Sequence, residues 1–236
     1  SLNTALTSKV QGNNLVVSVS VVNKGDETAY NVQAEVKLDG RQEMGKKLTE
    51  LPVGASYQGH FIFPLAYAKA GTYPLALTMH YTDANQYPFS ALTCQTFAYK
   101  SEAAPELFGQ LKPTQFSGSG RLSLSLKNSG DRQVRATARL LLSRELTVKG
   151  GPAELVIGPR SEKSLDFEVS NFSALAGSTY QAFAITEYEQ EGRHFSVVSP
   201  GTISIVEKSV FKEYQAYFYA VIAVLLVLFI VFQFKR

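Results

Sequence analysis

Val32-Gln-Ala-Glu-Val-Lys-Leu38 alternates apolar and polar side chains without a break. Successive side chains of a strand point to opposite faces, so Val32, Ala34, Val36 and Leu38 share one face and Gln33, Glu35 and Lys37 the other. That pattern is a half-buried strand, and it returns as Val134-Arg-Ala-Thr-Ala-Arg-Leu140. The surrounding segments return with it in the same order. Asn23-Lys-Gly-Asp26 recurs as Asn128-Ser-Gly-Asp131, Glu50-Leu-Pro-Val-Gly54 as Glu154-Leu-Val-Ile-Gly158, and Ala70-Gly-Thr-Tyr73 as Ala176-Gly-Ser-Thr-Tyr180. The stretch from Tyr81 to Ser90, read as a hairpin, recurs from Tyr188 to Val197. Ordered matches at one offset of about 105 residues read as an internal duplication.

Working outward, Val17, Val19 and Val21 alternate with Ser18 and Ser20 before the Asn23 turn, and further short apolar runs cover 48–51, 59–63, 73–81 and 89–99. Turn residues separate them, and no helical period intervenes. Strands spaced about ten residues apart in a unit of about a hundred predict an Ig-like β-sandwich. The expected fold is all-β, with two tandem Ig-like β-sandwich domains over 1–99 and 107–207, joined by a polar linker, 100–106, too short to allow much hinging. The Asn-x-Gly-Asp segments are expected to supply left-handed and side-chain-bonded turns. Tyr73 and Tyr180 follow a Gly corner, where a hydroxyl can bond back to the preceding loop.

This succession of strand, Asn-x-Gly-Asp turn, strand, Leu-x-x-Gly loop, Ala-Gly-x-Tyr corner and late hairpin resembles bacterial and archaeal Ig-like modules of the cell-adhesion-related (CARDB-like) type. The resemblance covers nearly all of residues 10–99 and 117–206. It implies a non-catalytic spacer or docking unit of a surface or envelope protein and transfers no functional residues. Asp83-Ala-Asn-Gln86 departs from the commoner form of the late hairpin, which often carries an acidic and paired-Asn run.

The last part of the chain is different. Ala216 to Phe232 is apolar throughout, with no charge, amide, Gly or Pro. Bounded by Tyr214 and Phe234, the run matches a hydrocarbon core of about 30 Å as a helix. It is expected to be a single C-terminal transmembrane α-helix over 214–234, preceded by a juxtamembrane segment, 208–213, and followed by a cytoplasmic end, 235–236. Tyr214, Tyr217, Tyr219, Lys235 and Arg236 would anchor it at the two interfaces. Ala216, Ala220 and Ala223 share one helix face and would let another helix approach, although lipid-facing filler explains them as well. A first residue of Ser1 rather than Met reads as a chain whose signal peptide has been removed, placing the sandwiches on the periplasmic or extracellular side of the cytoplasmic membrane. A tail-anchored protein with a cytosolic body is the other topology.

Charge excludes one class of partner. Residues 1–99 carry seven Lys+Arg against seven Asp+Glu, residues 100–207 twelve against twelve, and residues 208–236 four against one. The body is neutral, so it lacks the cationic surplus that nucleic-acid binding requires. One cysteine, Cys94, forbids an intrachain disulfide, and its strand-like setting predicts a small buried hydrophobe.

Catalytic and metal motifs are missing from the sequence. His60, His80 and His194 have no ligand spacing and are expected to be exposed and neutral. Glu187, Glu189 and Glu191 fall on one strand face and read as a solvated edge, since no calcium-loop pattern accompanies them. Asn171-Phe-Ser173 is a lone glycosylation sequon. No catalytic, cofactor or metal residue is therefore expected. Docking residues are expected instead: Ile62 aligns with Glu168 and would point outward beside His60, and Arg135 with Arg139 makes a small basic stripe on the second domain. Phe183 and Ile185 would face outward by alternation unless a bulge near Ser178 turns them in, which is the reading preferred here.

The function expected is a non-catalytic accessory or structural subunit of a cell-envelope membrane complex. An integral-membrane partner or a second copy would contact the helix and the Ig-like domains. A membrane-anchored surface adhesion or glycan-binding protein is the alternative. Glycan binding is disfavoured by the absence of Trp.

Overall fold

The computed structural model describes residues 1–207, 217–222, 224–226 and 233. Residues 1–99 form β1 (Leu2–Gln11), β2 (Asn14–Asn23), β3 (Ala29–Leu38), β4 (Arg41–Met44), β5 (Leu48–Leu51), β6 (Ser56–Pro64), β7 (Gly71–Thr82) and β8 (Pro88–Tyr99). The second half holds β9 (Leu107–Leu111), β10 (Thr114–Phe116), β11 (Ser119–Asn128), β12 (Val134–Leu142), β13 (Leu146–Val148), β14 (Ala153–Ile157), β15 (Glu162–Asn171), β16 (Thr179–Gln190) and β17 (Arg193–Ile205).

In each half, two sheets face each other across an apolar core. In the first, β1-β2-β6 packs on a sheet in which β3 pairs with β4, β5 and β7, and β7 pairs with β8. In the second, β13-β15-β11-β9 packs on β14-β12-β16-β17, with β10 added parallel to β17. The alternation read from the sequence is the cause. Val17, Val19, Val21, Val32, Ala34, Val36 and Leu38 are buried in the first core, and Leu122, Leu124, Leu126, Val134, Ala136 and Ala138 in the second.

Four strands, β1, β4, β10 and the three-residue β13, were not anticipated. In β1 the inward positions include Thr4 and Ser8, which hides the period. They are accommodated because the Thr4 hydroxyl bonds Thr93 and Gln95 donates to Ser8 at 3.4 Å, across from the first sheet to β8. Strands β4 and β10 have only four and three residues, too few to show a pattern.

The recurring motifs act in pairs. Asn23 is 1% exposed, and its amide donates to Glu27 O (2.8 Å) and Leu51 O (2.9 Å) while accepting Gly25 N–H (3.0 Å). Asn128, 0% exposed, donates to Arg132 O (2.7 Å) and Gly158 O (2.9 Å) and accepts Gly130 N–H (2.9 Å). The glycines are not left-handed, contrary to expectation; both are closely approached, Gly25 by backbone and Gly130 by a side-chain carboxylate. A Cβ on Gly25 would stand 2.2 Å from Ser1 N, and one on Gly130 2.0 Å from Glu106 Oε2. The Tyr73 hydroxyl donates to Lys69 O at 2.7 Å, and the Tyr180 hydroxyl accepts Leu175 N–H at 3.0 Å.

A third apolar cluster lies between the halves. Ala76, Leu92 and Cys94, on the outward face of β7 and β8, pack with Phe183 and Ile185 of β16, flanked by Leu141 and Val198. Strand β16 keeps continuous pairing with β12 and β17, so no bulge turns Phe183 and Ile185 inward. They face outward from their own sandwich and are buried by the other. This corrects the preferred reading of that strand.

Candidate docking surface

The four docking residues expected from sequence separate into two groups. On β6, Tyr57, Phe61 and Phe63 face the core, which leaves His60 and Ile62 on the outer side. Ile62 is 63% exposed, and its neighbour across the ladder is Val16. His60 Nδ1 lies 3.1 Å from Ser18 Oγ on the adjacent strand. His60 and His80 sit on opposite sheets of the first sandwich, β6 and β7, and so do not meet. Among the described residues, no group of three or more His, Cys, Asp and Glu is placed to hold a metal ion.

Arg135 is exposed opposite Val156, but Arg139 is engaged elsewhere. Its guanidinium stands 3.5 Å from Glu187, whose other carboxylate oxygen is 3.4 Å from His194 Nε2. His194 stacks on the Tyr73 ring of the first half at 4.5 Å between centroids. The bond to His194 holds the Glu187 carboxyl below the usual range, burial opposes it, and Arg139 adds to the lowering. The basic stripe is thus divided between an exposed residue and one committed to the seam.

Backbone and charge extend that seam. His194 N–H donates to Ala70 O at 3.0 Å, and His194 pairs with Gly71 as a single parallel bridge joining β17 to β7. Gly71 has φ +151°, and a Cβ there would lie 1.7 Å from His194 O, so only glycine permits this contact. Ser196 N–H donates to the Thr72 hydroxyl at 3.0 Å, Lys69 pairs with Glu189, and Ser90 donates to Glu145 at 2.9 Å. His80 and His194 are half-buried partners rather than exposed side chains, and Glu187 is half-buried as well, whereas Glu189 and Glu191 are solvated as expected, paired at the surface with Lys69 and Arg132. On the first half, His80 bonds Glu35 at 2.6 Å, and Lys37 lies 2.7 Å from the same carboxylate. Burial pushes the Glu35 carboxyl up, yet the bonds from Lys37 and His80 bring it below the usual range. Burial raises the Cys94 thiol to about 12.

At one end the seam opens into a cleft of about 700 Å³, lined by residues including Ser1, Asp26, Tyr81, Ser90, Ser143 and Tyr180. Among the described residues its lining sets the carboxylates of Asp26, Glu27 and Asp83 and the amino terminus of Ser1 beside the hydroxyls.

Tyr217, Tyr219 and Ala220 are helical and exposed. Among the described residues no helix is long and apolar enough to cross a membrane. Most of the run 214–234, with Tyr214, Ala216 and Ala223, as well as segment 208–213, Lys235 and Arg236, lies outside the described residues.

Residues 1–84 match the CARDB family model, which identifies that stretch as a CARDB-like Ig-like module. The chain matches no curated protein. Similar solved structures include a protein of unknown function from Porphyromonas gingivalis (13% identity, TM-score 0.35, covering 86% of this chain and 99% of that one). Another is a mutant of Salmonella alpha-2-macroglobulin (14% identity, TM-score 0.36, 87% of this chain and 16% of that one). A third is Escherichia coli alpha-2-macroglobulin activated by porcine elastase (11% identity, TM-score 0.35, 86% and 22%). The chain thus spans about a fifth or less of the two alpha-2-macroglobulins, and at these scores the likeness carries no argument.

Sequence reasoning missed the seam. Its signal was present in the apolar residues at outward parity on β7, β8, β16 and β17, where a solvated sheet face would carry polar ones.

Proposed function

We propose that the chain is a non-catalytic accessory or structural subunit of a cell-envelope membrane complex. In this reading it consists of two tandem Ig-like modules, held to the cytoplasmic membrane by a C-terminal span over 214–234, with the modules on the exported side. The observation that carries the reading is the contrast between corresponding positions. Where the second module presents Glu168 on a charged outer face, the first presents Ile62, 63% exposed beside Val16 and His60. An exposed apolar position on a sheet face that also carries Val16, Val22, Ser18, Ser20, Gln58 and Thr7, with Lys9 opposite Val16, suits a protein contact better than solvent. The seam supports it further, since it makes one stiff unit of the two modules and leaves the β1-β2-β6 face outward.

The test is purification of the full chain from native membranes in mild detergent, with and without Ile62→Glu. The reading expects an integral-membrane protein at stoichiometric amount with the unaltered chain and its loss with Ile62→Glu, while the circular dichroism spectrum is unchanged. A chain that purifies alone and binds glycan or whole cells would support a surface adhesin instead. Extraction into buffer without detergent, with the last two dozen residues intact, would remove the membrane anchor.

A further inference from the structure

Among the described residues no large apolar side chain is more exposed than Phe172, at 79%. It belongs to the turn between β15 and β16, where Leu175 is 40% exposed. An isolated exposed aromatic on a loose tip would mean little. This turn is braced. The Asn171 amide donates to Ser117 O (3.1 Å) and Ala174 O (3.0 Å) and accepts Ala174 N–H (2.7 Å). Phe172 and Ser173 N–H both donate to Glu145 O, at 2.9 and 3.1 Å. Leu175 N–H donates to the Tyr180 hydroxyl, and the Tyr87 hydroxyl of the first half donates to Ser173 O. The backbone beneath Phe172 is engaged while the ring is held out in water.

The position of the turn gives its exposure a direction. Gly177 N–H donates to Ile205 O at 2.7 Å, and Ile205 N–H donates to Ser178 O at 2.9 Å. The turn therefore lies beside the end of β17, where the chain leaves the sandwich at Val206, itself 42% exposed. From Val206 to Tyr214, the first residue of the proposed span, the chain can reach at most about 30 Å. Arg144, exposed next to the Glu145 carbonyl that anchors the turn, adds a cation suited to lipid phosphate. Asp83, in the neighbouring hairpin, has its carboxylate bonded by Asn85 and Tyr87 N–H at 2.9 and 2.8 Å.

We propose that Phe172 and Leu175 enter the headgroup boundary of the bilayer, a second membrane contact beside the C-terminal span. The contact rests on the anchored reading above. With the span at one point and an apolar tip at another, the paired modules are held at a set tilt to the membrane, because an aromatic ring on a rigid turn gains from the interface without further ordering of the backbone.

The chain contains no Trp, so Phe172→Trp introduces a single indole at the tip. The full chain is reconstituted in nanodiscs of phosphatidylcholine with a minority of phosphatidylglycerol, with and without acyl-brominated lipid. Phe108→Trp, at a 58% exposed position on β9, whose first residue Leu107 abuts Tyr188 near the other end of β16, serves as the aqueous reference. Tyr219→Trp reports on the span. The expected result for Phe172→Trp is a blue-shifted emission, quenching by brominated lipid, and several-fold weaker quenching by iodide than for Phe108→Trp. Equal iodide quenching of Phe172→Trp and Phe108→Trp, with Tyr219→Trp quenched by lipid, would overturn the contact and leave the anchor standing. If lipid fails to quench Tyr219→Trp, the anchor falls and the contact with it. Shielding of Phe172→Trp from iodide without lipid quenching would also overturn the proposal, in favour of a protein contact.

Discussion

Asn128→Ala removes an amide that is 0% exposed and serves three backbone groups at once. Its two short donor bonds run to Arg132 O at 2.7 Å and Gly158 O at 2.9 Å, and it accepts Gly130 N–H at 2.9 Å. Truncation leaves one N–H and two carbonyls without partners. A buried orphan costs about 1–3 kcal/mol, but carbonyls in a turn near the surface can recover water, so the expected loss is about 2–4 kcal/mol. A domain of this size has only about 5–15 kcal/mol to lose. Asn23→Ala breaks the equivalent set, to Glu27 O, Leu51 O and Gly25 N–H, and should cost the same within about 1 kcal/mol. Asn128→Asp should be worse than alanine, because it turns a carboxylate oxygen toward two carbonyls where the amide donated. Urea unfolding of the full chain in mild detergent, followed by near-UV circular dichroism of the tyrosines, would read a fall in midpoint of about 1–2 M at an ordinary slope. A loss under about 0.5 kcal/mol at either site would refute the accounting of these bonds. A large loss at one site and none at the other would refute their equivalence.

Gly71→Ala forces a Cβ against the His194 carbonyl and should separate the halves without unfolding either core. Limited proteolysis within 100–106 should then become several-fold faster, whereas an unchanged rate would mean that the bridge at His194 contributes little. The pH dependence of the seam follows from Glu187, whose folded pKa is lowered, while Glu35, lowered likewise, adds the same dependence within the first half. Groups with depressed folded values stabilise fully above the unfolded carboxylate pKa, and that contribution is lost as pH falls through the folded value. The seam should therefore be stable at neutral pH and weaken below about pH 4.5. Glu187→Gln should flatten the acid limb of a thermal-unfolding profile, and an unaltered limb would assign the acid sensitivity to other groups. Cys94, raised to about 12 by burial, should resist Ellman's reagent at pH 8 in the native chain and react rapidly in Gly71→Ala. Equal reactivity in the two would show that the thiol is not shielded by the seam.

The strands and the core were legible because alternation acts within one sheet: a strand with one wet face records that fact every second residue. Tyr73, Tyr180 and the two asparagines were legible through their recurrence, although the reason for the glycines was not. Gly25 and Gly130 look like turn glycines in one dimension. The constraint on Gly25 is the Ser1 backbone passing over it, and beside Gly130 stands the Glu106 side chain, neither of which local spacing encodes. Phe183 and Ile185 failed differently. An apolar residue at outward parity has two explanations, a bulge or a neighbour, and the sequence of a single strand cannot choose between them. Comparing strands could have chosen, since Ala76, Leu92 and Cys94 offer a matching apolar face on the other module.

The seam also constrains where a partner could bind. Two sandwiches have four outer sheet faces, and the cluster around Cys94 and Ile185 occupies much of two of them. On the second module's remaining face, Arg121 stands opposite Glu168 and Lys127 opposite Glu162, while Ser123 bonds Asp166. Paired charges in water contribute little and lose their hydration when covered, so that face resists a dry contact except at its β9 edge, where Phe108 is exposed. On the first module the corresponding face sets Val16 against Ile62, with Ser18 and His60 alongside, and covering it removes apolar surface from water at small polar cost. The burial of one pair of faces against each other leaves two unlike surfaces, of which the β1-β2-β6 face is the one that gains from being covered.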